Sequence, residues 1–73
     1  MTIDYASLIS NDQKKSIIEQ RINQFATEAY QQTLNKQTCE SIGDSNGIEE
    51  ADKALKILEV AIKTHQEELK TLV

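Results

Sequence analysis

The 73-residue chain has no proline and no tryptophan, two glycines, one cysteine, one histidine and a single phenylalanine. One cysteine excludes a disulfide framework within the chain. Without proline, and with so little glycine, long stretches contain nothing that breaks a helix. No apolar run approaches the ~18 residues that would cross a bilayer. The first residues lack a basic stretch, and Asp4 stands where the apolar core of a secretory leader would run, so a reduced, cytosolic-type setting is expected. There is no glycine-rich phosphate loop, internal repeat or low-complexity tract.

What is present is modest charge and strong periodicity. Twelve acids against eight bases give a net charge of −4, and 38% of residues are apolar. This balance argues against disorder, and the length allows one domain at most. Residues 11–42 are neutral, whereas residues 43–73 carry most of the acidic excess. The cluster Gly43-Asp44-Ser45-Asn46-Gly47 is the only strong turn signal, and it divides the chain in two.

The back segment carries Ile48, Ala51, Leu55, Leu58, Ile62, His65, Leu69 and Leu72 in an unbroken alternation of three- and four-residue steps. That is a heptad seam with one polar member, His65. Ala54, Ile57 and Ala61 widen the stripe on one side. Asn46 with Glu49 reads as a capping box, and the acids of the first turns suit the positive end of the helix dipole. A helix is predicted at about 47–72.

The front segment keeps the same rhythm through Ile18, Ile22, Phe25, Ala29, Gln32, Lys36, Cys39 and Ile42. Ser10 with Gln13 offers its own capping box, and Gly43 is suited to the left-handed conformation that ends a helix. A helix is predicted at about 11–42, with residues 43–46 as the loop and residues 1–10 as an apolar N-terminal arm. The expected fold is therefore all-α: an antiparallel two-helix hairpin in which paired positions sum to roughly 90. His65 then meets Phe25, Leu58 meets Gln32, Leu55 meets Lys36, Ala51 meets Cys39, and Ile48 meets Ile42.

A hairpin of this size buries one stripe per helix and has neither a disulfide nor a metal to staple it, so association is the expected remedy. Tyr30, Leu34 and Ile57 lie outside the seam. Tyr5, Leu8 and Ile9 make the arm more apolar than a solvated tail requires. These six are the expected partner-binding residues, and the arm is expected either to fold over the open end or to dock on another chain.

Catalytic and metal chemistry are not expected. His65 with Glu68 falls short of the three or four ligands zinc takes. Cys39 would need a histidine beside it to act as an activated nucleophile. The hairpin register sets His65 beside Phe25, roughly 21 Å along the front helix from Cys39. Paired carboxylates need a cleft, which a hairpin lacks, and the Asp44–Asn46 loop lacks the terminal bidentate glutamate of a calcium loop. Lys14, Lys15, Arg21 and Lys36 are scattered among acids at a pI near 4.8, unlike a nucleic-acid footprint. Neither helix has the basic face of a membrane-surface helix. The expectation is a non-enzymatic chain with no cofactor and a protein partner, either a second copy or a larger assembly.

The run from Lys15 through Ile18 to Ile22 leads into Ala29-Tyr30-Gln31-Gln32-Thr33-Leu34-Asn35. With Ala51-Asp52-Lys53-Ala54 and His65-Gln66-Glu67-Glu68-Leu69, it resembles small helical accessory proteins of tailed bacteriophages. The likeness spans nearly the whole chain and carries no site motif. It implies a structural or accessory subunit of a phage particle or, alternatively, a soluble inhibitor of a host protein, located in the virion or the host cytoplasm.

Overall fold

A computed structural model describes residues 2–72. Two long helices dominate it. α1 runs Asn11–Ile42 and α2 runs Ser45–Thr71, and a single turn of 3-10 helix at Tyr5–Leu8 precedes them. Among the described residues there is no strand, and the two helices pack against each other as an antiparallel hairpin.

The start of α1 is fixed locally. The Ser10 hydroxyl accepts the Gln13 amide at 3.1 Å, and the Gln13 side chain accepts the Ser10 amide at 2.8 Å. This reciprocal box satisfies two donors that the first helical turn would otherwise leave open. At the other end Gly43 adopts φ 73°, the left-handed conformation that costs glycine nothing. The Asp44 amide donates to the Cys39 carbonyl at 2.9 Å and the Gly43 amide to that of Glu40 at 3.4 Å. These are the two bonds of a Schellman motif.

The next helix begins sooner than the sequence suggests. Asn46 is not the N-cap of α2; Asp44 is, its carboxylate accepting the Gly47 amide at 3.0 Å. A carboxylate caps well and complements the helix dipole, and one left-handed glycine already reverses the chain. Only Gly43 and Asp44 remain between the helices, rather than residues 43–46. Gly47 is therefore a helical residue, and its lack of a side chain serves packing. A Cβ there would collide with the Cys39 sulfur and lie 2.7 Å from the Asp44 carboxylate.

Along the seam, Ile18, Ala51 and Leu58 are buried, and the other seam residues are half-buried except one. The exception is Ile42, which is 71% exposed rather than layered on Ile48. A straight helix drifts about 20° per heptad from the seam, so the last turn of α1 has rotated outward before the chain reverses. Phe25 and His65 meet edge to face, with ring centroids 4.9 Å apart. Lys36 does more than cover Leu55: its ammonium crosses to Asp52 at 2.7 Å. The hydrogen bond and the charge of Asp52 hold that ammonium above its ordinary pKa. Both contacts fix the antiparallel register.

The rest of α1 is polar by design of its own backbone. Thr27, Thr33, Thr38 and Ser41 donate to carbonyls one turn earlier, at 2.9 to 3.0 Å. Such back-bonding satisfies a hydroxyl without a partner helix. The molecule measures 51 × 27 × 14 Å, two helices wide and one helix thick.

Candidate interaction surface

The six residues singled out from sequence fall into three places. The arm is the first. The Ser7 hydroxyl donates to the Asp4 carbonyl at 2.9 Å and closes the 3-10 turn. Tyr5, Ala6 and Ile9 then line a shallow recess with Lys14, Ile17, Ile18 and Glu68. The arm thus borders the open end of the hairpin. It does so without hiding its side chains: Tyr5 is 76% exposed, Leu8 is equally open, and Ile9 is only partly covered.

Tyr30 and Leu34 form the second place, exposed one turn apart on the outer side of α1. Ile57 is the third, 70% exposed on α2. In an antiparallel pair the flanking positions of each helix meet their counterparts on the same side of the seam. By that rule Tyr30 and Ile57 stand on opposite broad faces. Ile57 lines a groove with Glu28, Gln31, Gln32, Ala54 and Leu58. Residues that lie together outside the seam thus fall on separate faces.

Three further apolar side chains of the two helices are exposed beyond those singled out. Ile17 extends the arm recess, Val60 stands on the outer side of α2, and Ile42 closes α1. Ile17 adjoins the seam residue Ile18, and that adjacency was the available signal. Val60 breaks no heptad position and carried none.

His65 and Cys39 lie at opposite ends of the hairpin. His65 Nδ1 is 2.7 Å from the Ala61 carbonyl, so that nitrogen carries the proton and donates. Arg21 sits over the Phe25 ring at 5.6 Å. His65, Arg21 and Glu68 share an open recess with Ile18 and Thr64. Cys39 is half-buried against Gly47, its sulfur 4.0 Å from an Asp44 oxygen. Among the described residues, no group of three or more histidine, cysteine or acidic side chains gathers as a metal would require. No described helix is long and apolar enough to cross a membrane.

Most of the ion pairs among the described residues lie within α2. Lys53 reaches Glu49 and Glu50, Lys63 reaches Glu59, and Lys70 reaches Glu67, all between 3.1 and 3.8 Å and well exposed. Such pairs contribute little to stability and break up any single-sign field. None of the protein families, curated proteins and solved structures compared with the chain matches it.

Proposed function

We propose that the chain is a non-enzymatic interaction and assembly protein, a small structural or accessory subunit of a phage particle that works bound to other protein. The observation that carries this reading is the imbalance between core and surface. Ile18, Ala51 and Leu58 are the buried apolar residues among those described, while Tyr5, Leu8, Tyr30 and Ile57 stand open to water. A chain that devotes large side chains to its surface gains their burial only on meeting another molecule. Tyr30, Leu34 and Ile57, with Tyr5, Leu8 and Ile9 of the arm, carry that contact. The phage setting rests on the sequence resemblance alone.

Mass spectrometry of purified particles tests the proposal. A structural subunit is recovered at fixed stoichiometry with the capsid or tail proteins. Absence from particles, together with capture of a host protein by the tagged chain, would instead establish the inhibitor reading.

A further inference from the structure

We infer that the face of the hairpin carrying Ala54, Ile57 and Ala61 receives a second copy of this chain, forming a four-helix dimer. The inference rests on the interaction reading above and names the partner and the face. Its first support is area. A compact protein of 8.2 kDa exposes about 4,500 Å². This chain exposes 5771 Å², an excess of roughly 1,200 Å². Two copies hiding that excess would bury about 2,400 Å² in total, within the span of obligate homodimers. The radius of gyration agrees: 16.5 Å, against about 11 Å for a compact chain of this length. A slab 14 Å thick has room for one more layer, and two such layers make a four-helix bundle.

The two broad faces differ in where their charges lie. On one, Glu59 and Lys63 border a groove over Ala29 and Leu55, and the Lys36–Asp52 pair lies beside them. Covering it would desolvate several ions. On the other face, α2 presents Ala54, Ile57, Ala61 and Thr64 at three- and four-residue steps, a second seam beside the first. Two grooves meet there at Ala54, with the core residues Ala51 and Leu58 along them and Glu28 and Glu50 as their charged members, and the recess beside Thr64 adds Arg21 and Glu68 at one end of the face. In a two-fold contact the same patch serves both copies, so each exposed Ile57 enters the groove of its partner.

Sedimentation equilibrium of the full chain tests this. At about 100 µM, where a micromolar dimer is nearly complete, the parent should sediment at about twice 8.2 kDa. Ile57→Asp should raise the dimer Kd at least about a hundredfold, and Ile57→Ala roughly tenfold. Helicity should hold in both, since Ile57 lies outside the intramolecular core. Thr27→Glu, on the outer side of α1, should leave the dimer intact. A dimer insensitive to both Ile57 variants would overturn the assigned face. A parent that stays monomeric at about 100 µM would overturn self-association, while fixed stoichiometry in particles would still uphold the broader proposal.

Discussion

Gly47 and Gly43 sit four residues apart and answer to different physics. Gly43 needs its freedom because its backbone is left-handed, with open space around a would-be Cβ. Gly47 has ordinary helical geometry and needs its smallness because Cys39 and Asp44 press on it. Alanine is the better helix former by about 1 kcal/mol, yet Gly47→Ala should destabilise the hairpin by about 1–3 kcal/mol through overpacking. Adding Cys39→Ala should recover part of that loss in denaturant titrations, while leaving the penalty of Gly43→Ala untouched. Lys36 supplies a second test. Its pKa is raised by Asp52, so its contribution is complete below the ordinary value of 10.5 and fades as pH rises through the higher folded value. Thermal melts of the parent and Lys36→Met should therefore shift in favour of the variant as pH passes above 10.5.

For the elements, the two ends of α1 are separable. Ser10→Ala removes the hydroxyl half of the box, leaving the Ser10 amide on the Gln13 side chain, and should cost about 1 kcal/mol of unfolding free energy. Leu34→Glu, on the open side of the same helix, should stay within about 0.5 kcal/mol of the parent. A large loss of helicity in that variant would place Leu34 in the core. The seam itself was readable: every position from Ile48 to Leu72 in the three-four series of α2 is at least half-buried, as are Ile18 to Cys39 in α1. What failed lay at the hairpin bend. Asp44 and Asn46 are both competent caps, and the choice between them depends on where α1 stops. The outward turn of Ile42 depends on accumulated helical drift, which step-counting ignores.

The whole molecule poses the question of what covers it. Periodicity yields an angle around a helix axis, which sets Tyr30 and Ile57 outside the seam without saying which face each takes. Only the handedness of the antiparallel pairing puts them on opposite faces. If folding is coupled to dimerisation, the thermal midpoint should climb with protein concentration. A midpoint unchanged over a hundredfold dilution would mean that each hairpin stands without help.

The two-residue connection has a mechanical corollary. The arm and the last turn of α2 share one pole, where Tyr5 and Ile9 border Glu68. Force applied between residues at that pole would peel the helices apart layer by layer, beginning at Ile18 and ending at Gly47. Tension between that pole and the bend would instead strain every layer together, and the same molecule would resist far longer.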